Sequence, residues 1–186
     1  MRPARSVTAN HGMAMPAWFD IYQFGSPSHE DEAGMLASAS SLSVLIEDEI
    51  NAGTKPERII LGGFSQGGVM SLLTGLTGDR RVGGLVVLSS RVPLLNKFKA
   101  MAKAHAAQTP IFWGHGTDDQ MITYQRAVES VELLTNELGF VQTQDAVTGL
   151  EFHTYRGMTH STCQNELDNL AAWLKRIIPG DSGSSN

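Results

Sequence analysis

Residues 58–73 read Arg-Ile-Ile-Leu-Gly-Gly-Phe-Ser-Gln-Gly-Gly-Val-Met-Ser-Leu-Leu, and no other stretch constrains the fold as much. A short β-branched run passes through a turn of small residues into Val69, Met70, Leu72 and Leu73 at helical spacing, which predicts strand, sharp turn, helix. Gly63-Phe64-Ser65-Gln66-Gly67 fits the G-x-S-x-G elbow. In that elbow a serine sits on a strained turn, and the flanking glycines are expected to remove side chains that would clash. The helix beginning after Ser65 would aim its first amides at a reacting carbonyl, so the Gln66 N–H is the expected oxyanion donor. A purely structural glycine-rich turn is the competing reading, and the strand before and helix after it favour the catalytic one.

The rest of the chain supplies the layers such an elbow needs. Met35, Leu36, Ala39, Leu42, Leu45, Ile46 and Ile50 recur at three- and four-residue steps, predicting an amphipathic helix over Glu30–Ile50 that stops near Gly53. Leu85–Leu88 and Ile111–Trp113 are continuous apolar runs suited to strands buried on both faces, and Phe152–Tyr155 is a weaker one. Helices are expected near 94–107, 122–138 and 161–178. Alternation of this kind implies an α/β fold: a mainly parallel sheet, helices on both faces, active groups at the strands' carboxyl ends. Residues 1–179 read as one domain. Within it 1–28 is expected to be irregular, with one short extended piece at Trp18–Tyr22, and 180–186 to be a disordered tail.

A serine hydroxyl needs a base to take its proton and a carboxylate to hold that base, in the chain order Ser, acid, His. Gly114-His115-Gly116-Thr117-Asp118-Asp119 follows a buried strand, so a carboxylate there is the expected orienter. Thr159-His160 follows the last strand and precedes a helix, which suits the base. His115 and His153 read as packed or loop histidines, and His11, His29 and His105 have no motif around them. A metal site would need closely spaced Cys and His ligands, and none are present. Cys163 is expected in the first turn of a helix as a packed residue without a role.

Composition excludes several classes. The formal charge is −5, and Arg91–Lys103 is too thin a basic cluster for nucleic acid, reading instead as a solvated helix face. No apolar run approaches the roughly 20 residues that span a bilayer. One cysteine allows no intrachain disulfide, and no signal-peptide core follows the basic N-terminus, so a cytoplasmic location is expected, with the nucleus left open.

Three segments carry a family resemblance: Ala14–Asp20, Arg58–Gly68 and Tyr155–Ser161 resemble the acyl-protein thioesterase family, the phospholipase/carboxylesterase group of α/β-hydrolases, across about residue 5 to Pro179. The resemblance implies an α/β-hydrolase fold. It also implies hydrolysis of thioesters joining palmitoyl or similar chains to protein cysteines, with side activity on lysophospholipids and small esters and no cofactor. S-acylated proteins or small acyl esters are the implied partners, and homodimer formation and transient contact with a membrane surface stay open. The family's loop usually ends Asp-Pro with the catalytic acid before the proline. Asp119 aligns with that acid but precedes Gln120, which leaves Asp118 as runner-up. Early strands and a His-Gly-x-Gly-Asp loop that would supply a second oxyanion amide have no equivalent in residues 1–64. The fold is therefore expected to be N-terminally shortened, to expose the edge of the Ser65 strand, and to be impaired in rate. Two further readings stand beside the thioesterase: a general short-chain carboxylesterase, and a catalytically impaired acyl-binding module. Leu94, Leu95, Phe98 and Met101 read either as an acyl-groove wall or, more simply, as an amphipathic helix packed on the sheet.

Overall fold

A computed structural model of the chain describes residues 4–23 and 30–178. The N-terminal part is more regular than its sequence suggests. β1 (Ala4–Val7) and β2 (Met13–Pro16) form an antiparallel hairpin, with Ala4 opposite Pro16 and Val7 opposite Met13. Trp18–Tyr22 is not a strand, because Gln66 and Asp31 side chains take over the backbone bonds of Trp18, Phe19 and Asp20. All of β2 is exposed, so no apolar alternation marks it in the sequence.

α1 (Glu32–Asn51) begins where Asp31 accepts a hydrogen bond from Gly34 N–H, an N-cap that satisfies one of the helix's free donors. β3 (Ile60–Phe64), α2 (Gln66–Thr77), β4 (Gly84–Leu88), α3 (Leu95–Met101), β5 (Ile111–Gly116), α4 (Tyr124–Leu138), β6 (Leu150–Tyr155) and α5 (Gln164–Ile177) follow. The helix expected over 94–107 is α3 alone. It ends at Ala102, whose backbone is extended, and a short 3-10 turn at Ala106–Gln108 follows. Cys163 is the residue before α5 rather than part of its first turn. The tail 180–186 and His29 lie outside the described residues.

The four later strands form one parallel sheet in the order β3-β4-β5-β6. Successive side chains alternate faces. Leu85, Val87, Ile111 and Trp113 enter a large core with α1, α2 and α4 residues such as Met35, Leu72 and Leu134. Val86, Leu88 and Phe112 pack on Trp173 of α5 behind the sheet. Both faces are covered, which is why β4 and β5 read as unbroken apolar runs. β3 ends the sheet, with Gly62 and Phe64 exposed.

The basic run also resolves. Lys97, Lys99 and Lys103 are exposed and pair with Glu32, Glu137 and Asp79, whereas Arg91 lies inside against Glu30 at 2.5 Å.

Candidate active site

Ser65 follows β3 with φ 54° and ψ −117°, a conformation a non-glycine residue avoids and which costs about 1–3 kcal/mol. Three hydrogen bonds to its N–H and carbonyl hold it there. Its N–H donates to Leu88 O at 2.9 Å, and its carbonyl accepts from Ser90 Oγ at 2.8 Å and from Val69 N–H at 3.2 Å. The turn is tight on one side only. A Cβ on Gly63 would lie 2.3–2.6 Å from Gly67 backbone atoms, whereas one on Gly67 would meet nothing within 4 Å. Gly63 is thus the glycine the elbow requires, and the expectation that both flanking glycines relieve clashes is corrected for Gly67.

Gln66 opens α2, so its N–H is one of the donors a helix leaves without an internal partner. Its side chain does something the sequence did not suggest: Oε1 accepts from Trp18 N–H and Nε2 donates to Phe19 O, both at 3.0 Å. The segment after the hairpin is thereby tied beside Ser65.

Asp119 and His160 sit in the loops after β5 and β6. Those loops are stitched together by Asp118 N–H to Met158 O at 3.1 Å and Gly157 N–H to Thr117 Oγ1 at 2.8 Å. His160 Nδ1 lies 2.8 Å from Asp119 Oδ2, so an Nδ1–H donated to the carboxylate leaves Nε2 free as an acceptor. The Asp119 side chain is fully buried, and its Oδ1 accepts the Met121 and Ile122 amides at 2.9 Å each. Gln120, standing in the place of a proline, is exposed and leaves these contacts intact. Asp118 is also exposed, its carboxylate held by Thr117 Oγ1 instead.

Beneath them His115 is fully buried, and burial pushes its pKa down. As a neutral ring its Nε2–H donates to Ile122 O at 2.8 Å, bracing the turn whose amides hold Asp119. Phe64 packs its ring 4.7 Å from that of His160, which brings the imidazole beside the residue preceding Ser65. Among the described residues Ser65 Oγ makes no hydrogen bond, a link that commonly tightens only once substrate is bound.

Two hollows meet at Ser65 and Gln66. A cavity of about 90 Å³ is walled by Phe19, Ile21, Val69, Met121 and Ile122, with Arg91 and Arg126 also on its lining. A groove of about 430 Å³ runs along Met15, Pro16, Trp18 and Phe64. Leu94 and Phe98 are buried in the core and Met101 packs against it, so these three follow the packed-helix reading, whereas Leu95 is exposed; none of the four lines either hollow. Among the described residues no group of three or more His, Cys, Asp or Glu is arranged to hold a metal ion, and no helix is long and apolar enough to cross a membrane.

A family model described as Phospholipase/Carboxylesterase matches residues 2–178. An acyl-protein thioesterase 1 of Cryptococcus neoformans is 42% identical over 183 residues, covering 95% of this chain and 77% of that protein. The Saccharomyces cerevisiae protein of the same name is 37% identical, covering 95% and 75%. The crystal structure of Arabidopsis thaliana SOBER1 superposes with a TM-score of 0.84 at 32% identity, covering 95% of this chain and 81% of that one.

Proposed function

The chain belongs to the phospholipase/carboxylesterase family, and from that premise we propose that it hydrolyses acyl thioesters and esters through a Ser65 acyl-enzyme, with His160 as base and Asp119 as its orienter. One observation carries the residue assignment: a buried carboxylate is joined at 2.8 Å to an imidazole that packs on Phe64, the residue preceding a serine held in a strained elbow.

In this reading Ser65 Oγ attacks the acyl carbonyl carbon while His160 Nε2 takes its proton. Asp119 stabilises the imidazolium that forms. The oxygen of the tetrahedral intermediate becomes negative and accepts a hydrogen bond from the Gln66 N–H. Collapse breaks the bond to the leaving thiol or alcohol, which receives the proton from His160. Water, deprotonated by the same imidazole, then releases the acid and restores Ser65.

The relatives named acyl-protein thioesterase make protein S-acyl groups, palmitoyl among them, the first substrates to try. The small cavity beside Ser65 favours a second reading, an esterase for short acyl groups. A fluorophosphonate probe tests both. Labelling and thioester turnover by the wild type that vanish in Ser65→Ala are expected. A folded protein that neither labels nor turns over would leave an acyl-binding module in place of an enzyme. Comparing acetyl, butanoyl, octanoyl and palmitoyl thioesters then separates the two enzyme readings.

A further inference from the structure

The Ser65 cavity has an unusual end for a site that takes fatty chains: its charged lining residues are both arginines. Arg91 is compensated. Its Nη1 lies 2.5 Å from Glu30 Oε1, and the other Glu30 oxygen accepts the Leu94 N–H at 2.8 Å. Arg126 is not: among the described residues its guanidinium makes neither a hydrogen bond nor an ion pair. It is half-buried, and burial together with the neighbouring Arg91 cation pushes its pKa down, with Glu30 and Glu129 opposing. A guanidinium does not lose its proton in a protein. Among the described residues the chain therefore holds a partly desolvated cation without a partner on the wall of the cavity that contains Ser65.

The side of the cavity tells which half of a substrate would meet it. The leaving group must lie within reach of His160, which protonates it. His160 packs against Phe64, and Phe64 lines the larger groove, not the cavity with the arginines. The arginine cavity is then the side left for the acyl half, with its carbonyl at Ser65 and Gln66 and its chain among Ile21, Val69, Ile122 and Arg126.

We propose that this cavity selects a short acyl group ending in a carboxylate, the half-ester or half-thioester of a small dicarboxylic acid, with Arg126 as the specificity-determining residue. The planar guanidinium fork accepts a carboxylate through two parallel N–H···O bonds, stronger than neutral ones. Apolar walls with a few placed polar or charged groups are the usual composition of a selective small-molecule site. The inference rests on the Ser65 hydrolase reading for turnover, but not for binding.

The test compares kcat/KM for ethyl hydrogen glutarate and ethyl pentanoate, which differ in the terminal carboxylate. The wild type is expected to favour the glutarate by about ten- to a hundredfold, the range a charged hydrogen bond commands. Arg126→Gln should erase that ratio, and Arg126→Lys, which keeps the charge without the fork, should retain part of it. Equal or faster hydrolysis of the pentanoate by the wild type, or a preference that survives Arg126→Gln, would overturn the proposal. A preference seen only for butanoylglycerol phosphate over butanoylglycerol would overturn it too, since the anion then belongs to the leaving group. Binding of both ethyl esters to Ser65→Ala, followed by saturation-transfer NMR, reads the cavity without turnover. Glutarate-selective binding lost on adding Arg126→Gln supports the proposal, and equal binding sinks it. If that selectivity holds while the wild type fails to label with fluorophosphonate, the catalytic reading falls and the Arg126 inference stands.

Discussion

The Asp119 carboxylate is fixed by three donors, and each limits what a substitution there can do. Its Oδ1 holds two backbone amides and its Oδ2 holds His160, so Asp119→Asn must place an NH₂ where at least one donor already points. The imidazole would then lose its tautomer and its counter-charge. We expect kcat to fall by about 10³–10⁴ with the fold retained, as steady-state kinetics and circular dichroism would show. Asp118→Asn touches only the Thr117 hydroxyl contact and should leave kcat near wild type; the opposite ranking of the two variants would reassign the orienter. At this scale strand ends and chain order pointed to Ser65, His160 and a carboxylate after β5, the family resemblance chose Asp119 over Asp118, and the structure joins Asp119 to His160. The sequence did not reveal the Gln66 side-chain bonds to Trp18 and Phe19, which depend on which distant segments meet, nor the His115 brace, which depends on how the loop after β5 curls back on its strand. Met121 and Ile122 could have been suspected, as a carboxylate often accepts amides two and three residues on.

Elements were readable where burial writes a period and obscure where it does not. β4 and β5 are covered on both faces and announced themselves as apolar runs, and α1 did so through its three- and four-residue repeat. The β1–β2 hairpin buries little beyond Val7, so its residues carry no period and the segment read as irregular. α3 stops early for a local reason: Ala102 turns extended, and its N–H closes the last turn on Phe98 O. The elbow joining β3 to α2 gives the sharpest test at this scale. Gly63→Ala forces a methyl against the Gly67 backbone, whereas Gly67→Ala adds one in open space. Overpacking of the first kind costs about 1–3 kcal/mol or more, while the second should change stability by no more than about 0.5 kcal/mol. Urea denaturation of the two variants checks this; equal destabilisation would mean the elbow is not closed as described.

Across the whole molecule, two features couple local chemistry to global behaviour. Among the described residues β3 ends the sheet, with Gly62 and Phe64 exposed near Met15 of the hairpin, an edge open to pairing. The net charge of −5 opposes self-association until salt screens it. Sedimentation velocity is therefore expected to show association that grows with protein concentration and with ionic strength, and a monomer unchanged by either would count against an accessible edge. The second feature is Glu166 in the first turn of α5, fully buried, with neither carboxyl oxygen hydrogen-bonded among the described residues. It fits because Gly114 of β5 has no side chain: a Cβ there would lie 2.2 Å from Glu166 Oε1. Burial raises its pKa from 4.5 to about 7, so the folded protein keeps this proton over a range in which the unfolded chain has released it. The sign follows from linkage. Stability from this group is fully present below about pH 4.5, declines as pH rises towards 7, and levels off once both states are ionised, a total on the order of 3 kcal/mol. Glu166→Gln keeps the shape and removes the ionisation. Its thermal midpoint should therefore lie further above that of the wild type at pH 8 than at pH 5. Parallel pH profiles for the two proteins would show instead that the Glu166 carboxyl finds a partner, or water, when it ionises.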